Sequence, residues 1–206
     1  MSAGQEALAG QQSLAGQQAF AGQQALPGTE ALADTGIAGL ISSMIRDVRD
    51  YPTPGIVFKD ITPLLADGGA LAAVVGALAA GHGRIDKVVG IEARGFILAA
   101  PVAVALGAGF VPVRKQGKLP AASYAQTYQL EYGTATLEVH EDAFGHGDRV
   151  LIIDDVLATG GTATATADLI RRGGAQVAAI AVLLELGFLD GRAQLPGMDV
   201  RSLLVV

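Results

Sequence analysis

The run V150-L-I-I-D-D-V-L-A-T-G-G-T162 holds the densest chemistry in the chain: four apolar residues, two adjacent carboxylates, and a small glycine-bearing turn. The apolar stretch reads as a buried strand and the residues after the turn as a helix. Asp154 and Asp155, at the strand end, can accept hydrogen bonds from two neighbouring hydroxyls. The backbone N–H groups of Ala158, Thr159, Gly160, Gly161 and Thr162, with the hydroxyls of Thr159 and Thr162, can surround a phosphate at the helix N-terminus, where the dipole favours negative charge. Gly160 and Gly161 let the backbone come close. One loop can thereby read a phosphate and a vicinal diol together. Taken singly, the Asp pair also suits a solvated strand end, and the turn suits any helix start. Neither G-x-x-x-x-G-K-[ST] nor G-x-G-x-x-G occurs, so the other common phosphate loops are excluded.

The elements that must position this run are legible on both sides of it. Ile37, Leu40, Ile41, Met44, Ile45 and Val48 fall at helical spacing behind the candidate caps Asp34 and Thr35, and Pro52 and Pro54 would end that helix. A second helix is expected over residues 69–80, followed by a buried strand, Val88 to Ile91. The uncharged stretch Phe96 to Val113 is long enough to raise the question of a membrane span, but Pro101, Gly107 and Gly109 divide it into a buried helix, a turn and a buried strand ending near Arg114. After a polar segment come the strand at 150–153, a helix over 163–172 stopped by Gly173 and Gly174, a strand at 177–184 and a last one at 202–206. Strands alternating with helices predict an α/β fold: a doubly wound, mostly parallel sheet flanked by helices, with the ligand site at the carboxyl ends of its strands.

Half of the 206 residues are apolar, enough for one domain to bury a core without disulfide or metal staples. The formal charge of -6 argues against non-specific nucleic-acid or anionic-membrane binding, so a phosphate site must be local. The chain has no cysteine, which removes thiol chemistry and fits a reducing compartment. No basic region followed by an apolar block opens it, and a cytoplasmic location is expected. His82, His140 and His146 are scattered without metal-site spacing and read as structural or surface residues.

Residues 4–33 repeat with a period of six, each unit opening on glycine. Six residues advance a helix by about 600°, so successive Leu and Phe side chains share no face. Residues 1–33 therefore read as a low-complexity, disordered extension, and residues 34–206 as the folded domain. A partner-binding or assembly tail, or a start codon placed upstream of the true one, are the other readings.

The Val150–Thr162 run resembles the binding signature for 5-phosphoribosyl-1-pyrophosphate (PRPP) in type I phosphoribosyltransferases. The resemblance extends over roughly residues 45–204. Four blocks, Y-P-T-P-G-I-V-F-K-D (residues 51–60), G-I-E-A-R-G-F (90–96), R-K-Q-G-K-L-P (114–120) and Y-Q-L-E-Y-G (128–133), stand in the order and spacing of the adenine phosphoribosyltransferases. It implies a small N-terminal hood, a flexible lid loop and a homodimer. Arg94 would contact pyrophosphate, and Arg114, Lys115 and Lys118, alone a plausible solvated loop, would neutralise it, partly across the dimer interface. Phe58, otherwise an ordinary core aromatic, would stack on adenine while the backbone at Val57 and Lys59 reads the base edge; Lys59 stands where relatives often carry Arg. Glu131, in a lid that includes Tyr132, would accept or relay the proton of the base. Mg²⁺ would arrive bound to PRPP. The implied reaction is adenine plus PRPP giving AMP plus pyrophosphate. Transfer to xanthine or another oxopurine, and a non-catalytic PRPP-sensing protein, are the alternatives.

Overall fold

The computed structural model describes residues 32–129 and 133–206. Residues 1–31, which hold all of the expected tail but its last two residues, and the expected lid residues Glu131 and Tyr132, lie outside the described residues.

Helix α1 (Leu32–Met44) is broken at Gly36, which takes φ 64°, and buries Ile41 completely. Its apolar spacing predicted continuation through Val48, but Arg46–Arg49 is a strand, β1. The competing force is pairing with β2 (Val57–Asp60): Val48 faces Phe58 across the ladder, and two ion pairs, Arg46 with Asp60 at 2.6 Å and Lys59 with Asp47 at 2.8 Å, join the strands. This hairpin is a separate two-stranded sheet, the small hood. A short helix, α2 (Thr62–Ala66), was not foreseen, because five residues are too few to display a period. Helix α3 (Gly68–Ala79) is capped by Asp67, whose carboxylate accepts from the Ala70 amide at 2.8 Å.

The main sheet has seven strands in the order β5-β6-β4-β3-β7-β8-β9. β3 (Lys87–Ile91) pairs in parallel with β4 (Gly109–Lys115) on one side and β7 (Arg149–Leu157) on the other; β8 (Gln176–Glu185) and β9 (Val200–Val205) continue the parallel order. Helix α4 (Arg94–Leu106) follows β3, and α5 (Gly161–Arg172) follows β7. At the far edge, β5 (Ser123–Gln129) and β6 (Thr134–His140) form an antiparallel hairpin within the polar segment expected to hold only a loop. Its strands are half exposed, so no continuous apolar run marks them.

Strand alternation divides the core. Val89, Ile152 and Ile180 pack beneath α5 with Leu169 and Ile170, while Val88, Leu151 and Ile153 pack on the opposite face with Leu98, Val74 and Ile41. Burial on both faces is why β3 and β7 read as unbroken apolar runs. From β3 the chain proceeds to β4 on one side and β7 lies on the other, so a crevice opens at the carboxyl ends of β3 and β7.

Candidate active site

The two carboxylates do not end their strand as expected. β7 continues to Leu157 along β8, but its pairing with β3 stops at Ile153, which leaves Asp154 and Asp155 at the mouth of the crevice. Successive residues of a strand point to opposite faces. Asp154 lines a small cavity of about 60 Å³ with Ala158, Thr159, Gly160 and Thr162. Asp155, only 5% exposed, turns toward Arg94, whose Nε lies 2.8 Å from Oδ2. Their electrostatics therefore differ. Burial, reinforced by the neighbouring Asp155 charge, pushes the Asp154 pKa well above the usual carboxylate range.

After Leu157 the chain turns through Ala158–Gly160 into α5. Gly160 takes φ 86°, a left-handed conformation that a side chain would strain, and it provides no side-chain cap. The first turn of α5 has no acidic residue. Its first amides thus face the cavity with the positive end of the helix dipole behind them.

Arg94 opens α4 from the other wall of the crevice, directly after the cis Glu92–Ala93 peptide. Its guanidinium lies 5.0 Å from the Phe58 ring centroid, and Phe58 meets Tyr51 edge-on at 5.2 Å, so the hood is held over the crevice by a cation–π contact. Arg94 Nη1 is buried and donates to no acceptor among the described residues. An anionic ligand entering here would satisfy it.

Glu92 was not singled out from the sequence, yet it organises the basic block. Its carboxylate accepts from Lys118 Nζ at 2.5 Å and from the Lys115 amide at 2.9 Å, and lies 3.5 Å from Arg114 Nε. Burial alone would raise the Glu92 pKa; the Lys118 ammonium and the Lys115 amide outweigh it and hold the group below the usual glutamate value. The signal was available in the sequence: an acidic residue two positions before Arg94, in a loop read as anion-binding, requires a cationic partner.

The β5–β6 hairpin brings Tyr128 to the phosphate loop, with Thr162 Oγ1 3.2 Å from the phenol oxygen. The end of β5 is therefore next to α5. Lys59 Nζ pairs with Asp47 Oδ1 at 2.8 Å in the hood. A cleft of about 490 Å³ runs between the hood and the chain end, lined by Val57, Lys59, Leu186, Phe188 and Val206. Of the histidines, His82 is buried, with Nε2 2.8 Å from the Leu78 carbonyl oxygen, and burial lowers its pKa.

Residues 63–195 match the phosphoribosyl transferase domain family. The chain is 62% identical over 178 residues to an adenine phosphoribosyltransferase of Streptomyces coelicolor, a match covering 84% of this chain and 98% of that protein. The chain belongs to the adenine phosphoribosyltransferase family. The solved adenine phosphoribosyltransferase of Rhodothermus marinus superposes with TM-score 0.79 at 51% identity, covering 82% of this chain and 98% of that one. The Saccharomyces cerevisiae adenine phosphoribosyltransferase, solved with an imino-altritol bisphosphate and adenine, superposes with TM-score 0.75 at 34% identity, covering 81% and 98%. The mostly parallel sheet carries helices on both faces. Of the residues singled out from the sequence, the fold brings Asp154, Asp155, Ala158–Thr162, Arg94 and Phe58 together around one crevice, and it gathers Arg114, Lys115 and Lys118 about Glu92 at its edge.

Proposed function

We infer that this chain salvages adenine by transferring the 5-phosphoribosyl group of PRPP to it, giving AMP and pyrophosphate. The observation that carries the reading is the meeting of an uncapped helix N-terminus, two carboxylates and a partly unsatisfied arginine at one crevice. Ala158–Thr162 hold the 5′-phosphate, and Asp154 and Asp155 hold the ribose hydroxyls. Arg94, Lys115 and Lys118, with Arg114 beside them, stabilise the charge that grows on pyrophosphate as its bond to ribose C1 lengthens. N9 of adenine attacks from the opposite face. Lid closure around Tyr132 excludes water, which limits hydrolysis of PRPP.

Glu131 accepts or relays the proton lost by the base. On this reading Glu131→Gln loses kcat and flattens the acidic limb of the pH–rate profile; full kcat at every pH would end the proton-transfer role. Phe58 stacks on adenine, and the backbone at Val57 and Lys59 reads the base edge. Base stacking on an aromatic ring contributes about 1–3 kcal/mol, so Phe58→Ala is expected to lower kcat/KM for adenine roughly 5- to 150-fold in steady-state assays.

Among the described residues no three His, Cys, Asp or Glu side chains gather as a metal cage. Mg²⁺ would arrive carried by PRPP oxygens and water, with Asp154 and Asp155 as crevice carboxylates able to meet it. When bound, the ion would offset phosphate charge. A homodimer belongs to the same reading and is supported by Ile97 and Val104, exposed on one face of α4. Among the described residues no helix is long and apolar enough to cross a membrane; a cytoplasmic location, with residues 1–33 as an extension and 34–206 as the catalytic domain, completes it.

The test is AMP formation from PRPP with a panel of purines. Adenine is expected to be the preferred acceptor. Preference for xanthine or hypoxanthine would move the assignment to oxopurines, and PRPP binding without turnover with any base would indicate a sensor.

A further inference from the structure

The phosphate loop has a back wall made of backbone. Behind Ala158–Gly160 lies the short 3₁₀ turn Gly191–Gln194, and the two approach so closely that neither tolerates a Cβ. A methyl on Gly191 would overlap the Ala158 carbonyl oxygen and stand 3.1 Å from the Gly160 nitrogen; a methyl on Gly160 would overlap the Gly191 carbonyl oxygen. Gly191 itself does not adopt a positive φ, so alanine meets no torsional penalty there. Its obstacle is the phosphate loop.

The turn is fixed from two sides. The Thr164 hydroxyl, in the first turns of α5, lies 3.0 Å from both the Gly160 and the Gln194 carbonyl oxygens. Arg192 forks onto Glu185 at 2.7 and 2.8 Å, and donates to the Val200 carbonyl at 2.7 Å and to Ser202 Oγ at 3.1 Å. Glu185, at the end of β8, is only 6% exposed and also accepts from Ser202. A planar fork to a buried carboxylate leaves little freedom. The ends of β8 and β9 therefore set the position of Gly191, and Gly191 sets that of the loop amides.

We propose that Gly191 is a positioning residue for the 5′-phosphate of PRPP, held in place by the Arg192–Glu185 clamp. The proposal rests on the reading that Ala158–Thr162 hold that phosphate. Relief of the overlap in Gly191→Ala requires the loop to retreat on the order of 1 Å, a displacement that can cost about 100-fold where geometry is exacting.

The full-length protein and its Gly191→Ala and Arg192→Lys variants would be titrated calorimetrically with ribose 5-phosphate and, separately, with pyrophosphate. Steady-state kinetics and thermal melts would accompany the titrations. Gly191→Ala is expected to lose roughly 10- to 100-fold in ribose 5-phosphate affinity and to raise KM for PRPP correspondingly, while pyrophosphate affinity and KM for adenine stay within about twofold. Arg192→Lys keeps the charge but not the fork and should show the same asymmetry more weakly. If Gly191→Ala does not fold, Arg192→Lys carries the test. Equal loss for both ligands, or no loss for either, would overturn the positioning role. Failure of the parent protein to bind ribose 5-phosphate would instead overturn the phosphate-site reading beneath it.

Discussion

Asp154→Asn is expected to raise Tm at neutral pH while lowering kcat/KM for PRPP roughly 10- to 150-fold, the range for loss of a hydrogen bond to a charged group. The two effects share one cause. Desolvation of Asp154 and the charge of the neighbouring Asp155 both oppose its ionisation, so its pKa in the folded state lies above the unfolded value. Such a group contributes stability that is fully present below the unfolded pKa, near 3.9, and is lost as pH rises through the folded pKa. At pH 7 the parent chain carries that penalty and the asparagine variant does not. Each kcal/mol released raises Tm by about 2–4 °C in a domain of this size. The gain should shrink toward zero as the pH is lowered past about 4. Calorimetric melts at pH 4 and pH 7 with initial rates across PRPP concentrations check both halves. A lower Tm at pH 7 would show that the protein holds Asp154 favourably ionised. Adding Asp155→Asn should deepen the kinetic loss; unchanged kinetics in the double variant would remove both residues from the site.

Arg94→Met is expected to abolish most activity and to destabilise the fold. Asp155, nearly inaccessible, would lose its cation while still adjacent to Asp154. Removing one partner of a buried pair costs several kcal/mol, but the Arg94 side chain is 37% exposed, so screening reduces the expected loss to about 1–3 kcal/mol. The hood would also lose the cation that holds Phe58. Kinetically, removing a group aimed at developing charge lowers kcat about 100- to 1000-fold. Arg94→Lys restores the charge but not the planar fork, and should recover only part of the rate. Product inhibition by pyrophosphate is the discriminating measurement. Retention of full pyrophosphate inhibition in Arg94→Met would assign Arg94 a structural role alone.

The sequence disclosed most where side chains are buried on both faces. β3, β7 and β8 were readable because a central parallel strand has no polar face to disguise it, and α4 because Gly107 stops it. Edge elements escaped. Val48 suits a helical period and a strand equally, and only its partner Phe58, across a turn, decides between them. β5 and β6 alternate half-exposed residues that read as loop. For the site, the phosphate loop was legible because its parts are contiguous. Gly191 was not, since its importance lies in the phosphate-loop carbonyl that approaches it, and Glu92, though marked by its charge beside Arg94, finds its partners in a basic block more than twenty residues away.

The place of β3 between β4 and β7 also bears on synthesis. Its β7 neighbour is about sixty residues farther along, with Lys87 opposite Val150. At roughly 5–20 residues per second, the ribosome takes about 3–12 s to deliver that partner after β3 emerges. Throughout this interval one edge of the strand destined for the sheet centre is unpaired, apolar and open to any other extended chain. Non-local pairing of this kind also slows refolding. Until β7 is made, shielding of that waiting edge is what stands between the growing chain and mispairing.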